Sequence, residues 1–438
     1  MRSLSLITKT ILEQIEGEAS LYFDMKEDVV DFVTIAFPHF RGMEKMLEGK
    51  SALDALVITP RVCGICGHSH LLASVRAIED AYKNSGFAIA VTKKASKVRE
   101  LTLILELVQN HFKWIYLVLV PHLKELSGSE ELLNTPLKGA YGASLATKIL
   151  AIFAGQWPHS SYMIPGGITS DFTYVDLTKA KSHLQKLTEY FETETLGVSV
   201  EEFLSFESCK DFVSLESDFA KIERLLIDLG MQKKGHAKDA FLSIGIHEFS
   251  YAAKVKGTRL FKIAAKYVQT QEAYTPDEKS YAKNALYKNQ FYETGPLARC
   301  MAKEFKLIKN MHRRFKDSAY TRVMARIYET AYLLTFCKKL LTEIDINESS
   351  CVESVSLKNI SGIGEGVVEA PRGPLIHRVQ IKEGIIKSYK IITPTQYNIA
   401  SSTKENPSPA QQAMMNCSQA DAKFIFRTFD VCSVCTTH

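Results

Sequence analysis

Two short stretches carry residue types suited to metal chemistry. Residues 61–70 read RVCGICGHSH, and the last eight residues read VCSVCTTH. Each holds two cysteines at C-x-x-C spacing and then a histidine, His70 four residues and His438 three residues after the second cysteine. Two thiolates seldom complete a metal site, so Cys63, Cys66, Cys432 and Cys435 together suggest one centre with four sulfur ligands. On spacing alone, structural zinc is the simpler occupant, because paired C-x-x-C is its usual signature. Three features point instead to a redox metal in a large core. The pairs lie at opposite ends of the chain, each has a trailing histidine that four-coordinate zinc does not need, and no ribbon follows the second pair.

Joining such distant segments requires a large scaffold. The 438 residues are 46% hydrophobic and 24% charged, enough for a sizeable core and unlike a disordered chain. β-Branched and aromatic runs predict strands within 3–37, and 42–57 reads as two short helices broken near Gly49. A helix starting near His68 follows the first cysteine pair. Apolar spacing then predicts helices over 92–119, 145–154, 176–191, 213–229, 296–315 and 319–341. Beyond Cys351, alternation predicts strands with a Lys-Glu-Gly turn at 382–384, and a final helix over 409–426 delivers the second pair. The expected fold is α+β, mainly α: a central bundle of long helices, peripheral N- and C-terminal β-strands, and both termini converging on a buried metal site. Residues 1–438 are expected to form a single domain, without repeats or a flexible linker.

The net charge of +5 is spread along the chain, which predicts a mixed surface and no nucleic-acid face. No apolar run reaches bilayer length; the nearest, WIYLVLVP from Trp114, ends at Pro121. The first twenty residues carry Glu13, Glu16 and Glu18 and lack a signal-peptide core. The expectation is a cytoplasmic chain, associated with a membrane or exported only through a partner. Nine cysteines, an odd number, argue against a complete disulfide framework. Cys209, Cys300, Cys337, Cys351 and Cys417 stand alone and read as small buried hydrophobes.

The two cysteine motifs, R-x-C-G-x-C-x-x-x-H and D-x-C-x-x-C-x-x-H, resemble those of the large, catalytic subunit of nickel–iron hydrogenases. QIEGE (Gln14–Glu18), FRGME (Phe40–Glu44), LLASVRAIEDA after His70, ETGPLAR (Glu293–Arg299), EAPRG (Glu369–Gly373) and PTQYN (Pro394–Asn398) follow in family order. The resemblance runs from about residue 14 to residue 438.

That resemblance implies a chain that cleaves H2 reversibly and heterolytically into protons and electrons, with a regulatory hydrogen sensor as a variant of the same site. It implies nickel held by all four thiolates, Cys63 and Cys432 terminal and Cys66 and Cys435 bridging to an iron that carries carbon monoxide and cyanide. Arg372 would hang over the metals beside Pro371, Asp430 would orient Arg372, and Thr395 would bond a cyanide. Glu16 would take a proton from Cys432, and His70 would order the cysteine loop. Glu44, His438 and the Ile391 carbonyl would hold a structural magnesium. Electrons must leave, and no other cysteines have cluster spacing, so the resemblance implies an iron–sulfur small subunit, further electron-transfer subunits and maturation proteins as partners.

Four positions depart from the family pattern. Gln14 and Glu18 replace an arginine and a histidine around Glu16, Val431 replaces a proline, and Asn110 stands where respiratory types carry an aspartate. Gln109–His111 is nearer to cytosolic and sensor types. The chain is short for the family and ends at His438, where a maturation protease cuts most precursors.

Overall fold

Three antiparallel strands, β1 (Leu6–Leu12), β2 (Ala19–Lys26) and β3 (Val29–Ala36), form the first sheet in that order. The computed structural model describes residues 6–12, 18–130, 132, 135–212, 214–245, 252–255, 261–275, 278, 280–353 and 356–438. The outer edge of β3 is tied to the far end of the chain. The Val30 amide donates to the Cys417 carbonyl at 2.8 Å, and the Asn416 amide returns a bond to Val30 at 2.8 Å. These backbone bonds bring the N-terminal sheet to the segment that leads to the second cysteine pair.

The long helices form the core. α1 (Gly67–Asn84) starts immediately after Cys66, and α2 (Lys93–Lys113) starts where the Thr92 hydroxyl accepts from the Ala95 amide at 3.1 Å. A π-helical stretch, Trp114–Leu119, carries α2 into Val120–Ser127, so the helical path runs for 35 residues. That corrects the expectation that nothing here reaches bilayer length. The stretch is long and apolar enough by composition to cross a membrane, but 83% of its apolar window is buried inside the protein, as in a core helix. α3 (Thr135–Ala154) and α5 (Ala319–Glu343) pack against it, and α4 (Tyr174–Phe191) packs against both of these. α3 begins ten residues before the expected start, because Gly139 and Gly142 lie against the Phe112 and Tyr116 side chains. Small residues chosen for close approach hide the apolar stripe by which helices are read.

The second sheet comprises β4 (Gly362–Ala370), β5 (Gly373–Lys382) and β6 (Ile385–Ile392), all antiparallel neighbours. Glu383 and Gly384 both have positive φ, 51° and 77°, as a tight β5–β6 turn requires. Pro371 and Arg372 form the opposite turn, between the paired residues Ala370 and Gly373. β4 lies unusually close to α1. A Cβ on Gly364 would sit 1.9 Å from the Ala77 carbonyl oxygen, and one on Gly366 would sit 1.9 Å from that of Ala73. Glycines on the strand thus face alanines on the helix, and this fixes α1, with Cys66 at its head, relative to the Arg372 turn. Gly364→Ala is expected to lower stability by roughly 1–3 kcal/mol through overpacking, read as a lower Tm with little change in helix content.

Several expected boundaries shift for local reasons. The expected helix 296–315 divides into Pro296–Lys303 and Lys306–Phe315 where Glu304 takes φ 61°. That over 409–426 divides into Pro409–Met414 and Gln419–Thr428, with Asn416 at φ 60° and Ser418 capping the second. The helix expected from 213 starts at Asp218, after the Ser217 cap. Strands Ala240–Ser243, Ala252–Val255 and Phe261–Lys262 form a sheet, and Val268–Glu272 pairs with Lys283–Tyr287; none was legible as strand. Cys300, Cys337 and Cys417 are buried, but Cys209 is half-buried and Cys351 is exposed, which corrects the reading of all five as core.

Candidate metal centre

Cys63 and Cys66 occupy the loop that enters α1, while Cys432 is the N-cap of the short helix Ser433–Thr436 and Cys435 lies within it. The structure brings all four together in a buried pocket, none more than 5% exposed. The Sγ atoms of Cys63 and Cys432 are 3.6 Å apart, those of Cys66 and Cys435 3.6 Å, and those of Cys432 and Cys435 3.0 Å. Amides of Ile65 and Cys66 point at the Cys63 sulfur, at 3.3 and 3.4 Å.

Inside the pocket the four thiols shift one another's ionisation. Hydrogen bonds from Cys432, Cys435 and Cys66 hold the Cys63 thiol well below its ordinary range. Despite contact with Cys435, Cys66 and Cys432 are pushed well up by donating to Cys63 and by burial. Burial, then the same thiol contacts, pushes Cys435 up too. On its own the pocket stabilises one thiolate; four together call for a soft cation of high charge, which nickel, iron or zinc supplies.

Arg372, 4% exposed, lies beside this pocket. Its Nε donates to the Asp430 carbonyl at 2.8 Å, and its guanidinium meets the Asp430 carboxylate at 2.9 Å. Asp430 takes φ 58° between the end of helix Gln419–Thr428 and Cys432. Two arginines offset its burial and lower its carboxyl pKa. Thr395 and Ser433 are both buried, and neither hydroxyl has a hydrogen-bond partner among the described residues. Thr395 lies in the motif expected to bond cyanide, so its spare donor fits that ligand. The Pro371 carbonyl accepts from Arg299 at 2.9 Å, which holds the turn in place.

The expected magnesium ligands also meet. The Ile391 amide donates to Glu44 at 2.7 Å, while His438 Nε2 lies 2.6 Å from the Ile391 carbonyl and 3.5 Å from Glu44. Against the burial that raises it, His438 holds the Glu44 carboxyl below its usual range. Two oxygens and an imidazole nitrogen so arranged form a donor set a hard cation accepts. His70 Nε2 is 4.0 Å from Cys435 Sγ, and its other nitrogen meets His377 at 3.0 Å; His377 continues to Tyr389 at 2.8 Å. Gln14 and Glu16 lie outside the described residues.

A buried ion-pair network was missed from sequence. Arg299 pairs with Glu329 at 2.6 and 2.7 Å and reaches Glu369 at 3.2 Å; Arg322 pairs with Glu293 at 2.7 Å. The signal was present as Arg322, Arg326 and Glu329 along one face of the otherwise largely apolar α5. Burial opposes it, but Arg299 and His111 bring the Glu329 carboxyl down to about 2. Its folded value lies below the ordinary 4.5, so its stabilisation is complete above that value and is lost as pH falls toward about 2. Glu329→Ala leaves buried cationic charge unbalanced and is expected to cost roughly 3–5 kcal/mol; Glu329→Gln should remove part of the acid-induced fall in Tm.

The Nickel-dependent hydrogenase family model matches residues 41–120 and 142–438. The coenzyme F420 hydrogenase alpha subunit of Methanocaldococcus jannaschii is 27% identical over 97% of this chain and 91% of its own length. The large subunit of the periplasmic NiFeSe hydrogenase of Desulfomicrobium baculatum is 24% identical over 88% of this chain and 84% of its own. A solved structure of Dm. baculatum NiFeSe hydrogenase superposes with a TM-score of 0.83 over 99% of this chain and 100% of that one; at 20% identity, this likeness establishes the fold. Family match and fold agree, and the chain belongs to the nickel-dependent hydrogenases as a large subunit.

Proposed function

We propose that this chain is a catalytic subunit that cleaves H2 reversibly into protons and electrons, passing the electrons to an iron–sulfur small subunit. The observation that carries the reading is the meeting of four buried sulfurs from opposite ends of the chain beside the Arg372–Asp430 pair. Cys63, Cys66, Cys432 and Cys435 would hold nickel and iron, and the Thr395 hydroxyl would donate a hydrogen bond to a ligand of that centre. Glu44, His438 and the Ile391 carbonyl would hold magnesium and lock the C-terminus. When bound, the nickel–iron centre supplies the redox and Lewis-acid chemistry of H2 activation.

The protein's own contributions are orientation, dryness and proton handling. Arg372 presents a fixed cation beside the thiolates in a low-dielectric pocket, where a preorganised charge acts most strongly. Asp430 keeps that cation from turning toward the metal ligands. The Cys432 sulfur would take the proton and pass it to Glu16, a role that rests on the QIEGE motif. Magnesium ligation would leave His438 immobile and so fix the loop carrying Cys432 and Cys435.

The test is to produce the chain with its small subunit and maturation proteins and measure nickel, iron and H2-dependent reduction of a viologen dye. The reading expects nickel and iron in the complex and sustained dye reduction. Isotope exchange between H2 and deuterated water with only slow dye reduction would favour the sensor variant. Zinc in place of nickel, with neither activity, would defeat the proposal.

A further inference from the structure

Arg326 has no part in the reading above, yet it occupies a singular position. It projects from α5, is 2% exposed, and lies 4.4 Å from the Trp114 ring. One of its terminal nitrogens reaches the Asp430 carboxylate at 2.6 Å, Asn110 Oδ1 at 3.4 Å and His111 Nδ1 at 3.3 Å. His111 Nε2 lies 2.8 Å from Glu329, so a proton there leaves Nδ1 as the acceptor that Arg326 needs.

We propose that Arg326 is a positioning residue for Arg372: it fixes the Asp430 carboxylate, which fixes the Arg372 guanidinium beside the four-sulfur pocket. The inference rests on the hydrogenase reading and adds a residue to it. Each Asp430 carboxylate oxygen serves a different arginine, Oδ2 for Arg326 and Oδ1 for Arg372. With both oxygens engaged the carboxylate cannot rotate, and the left-handed backbone at Asp430 leaves it no easy alternative. The chain continues inward from Arg326 through His111 and Glu329 to Arg299, so the anchor is a buried network and not a mobile surface group. Two cations also share one carboxylate, and Asn110 adds no charge.

The test compares wild type, Arg326→Met, Arg326→Lys, Asp430→Asn and the Arg326→Met/Asp430→Asn double variant as matured complexes. Each is measured for nickel content, dye-reduction turnover and the infrared stretches of metal-bound carbonyl and cyanide. R326M should keep its nickel, shift the cyanide bands and lose at least about tenfold in turnover. R326K keeps the cation but not the planar contact, and should shift the same bands in the same direction by less. It also serves if R326M does not fold. Because Arg326 acts through Asp430, the double variant should match D430N and not add to it. Unshifted bands in nickel-loaded R326M or R326K, or additive losses in the double variant, would overturn the proposal. Absence of these bands in nickel-replete wild type would instead defeat the hydrogenase reading on which it rests.

Discussion

Cys435→Ser is expected to deprive the protein of its metal centre while sparing its fold. Loss of an outer hydrogen-bond partner typically weakens metal binding roughly 10–100-fold, and loss of a buried bridging ligand should exceed that. Serine does not ionise near neutral pH and is a hard donor, so it cannot supply the fourth soft anion. The Cys435 sulfur lies 3.0 Å from Cys432 and 3.6 Å from Cys66, so its loss disturbs the packing of two of the remaining three sulfurs. The check is nickel and iron content with circular dichroism on the same sample. A variant that kept both metals and its turnover would show that the centre lies elsewhere.

Arg372→Lys is expected to give the opposite pattern, with metal retained and turnover lost. Arg372 makes two bonds to Asp430 at once, through Nε to the carbonyl and through the guanidinium to the carboxylate. Lysine keeps the charge but cannot make that planar pair, so the cation is no longer held in one place. Removing one preorganised donor from an active site commonly costs about 10²–10³ in kcat, and a loss of that order is expected here. Nickel content per complex should stay at the wild-type level. Turnover within a few-fold of wild type would mean that Arg372 contributes packing only.

Most of the site was legible because its chemistry is local and repeated. The two C-x-x-C pairs announce themselves by residue type, the arginine of EAPRG and the aspartate before Cys432 only through the family resemblance, and the structure sets them side by side. Glu44, Ile391 and His438 were named through the resemblance from segments far apart in the chain, and they converge within hydrogen-bond reach. Arg326 and Glu329 were not found, and Arg299 was noted only as part of ETGPLAR, because a charged residue in a helix reads as solvent-facing unless both faces are known to be buried. On α5 both faces are buried, which no periodicity of α5 alone reveals. The strands between Ala240 and Tyr287 were missed for a related reason: they are short and pair within small sheets. Helix breaks at Glu304 and Asn416 depend on left-handed residues other than glycine, which carry little local signal.

The central claim is that Cys63, Cys66, Cys432 and Cys435 hold nickel and iron together. It is tested most directly by anomalous diffraction from crystals of the matured complex, recorded at the nickel, iron and zinc absorption edges. The account predicts two adjacent peaks, one at the nickel edge in contact with all four sulfurs and one at the iron edge between Cys66 and Cys435. A single peak at the zinc edge, coordinated by the same four sulfurs, would contradict it.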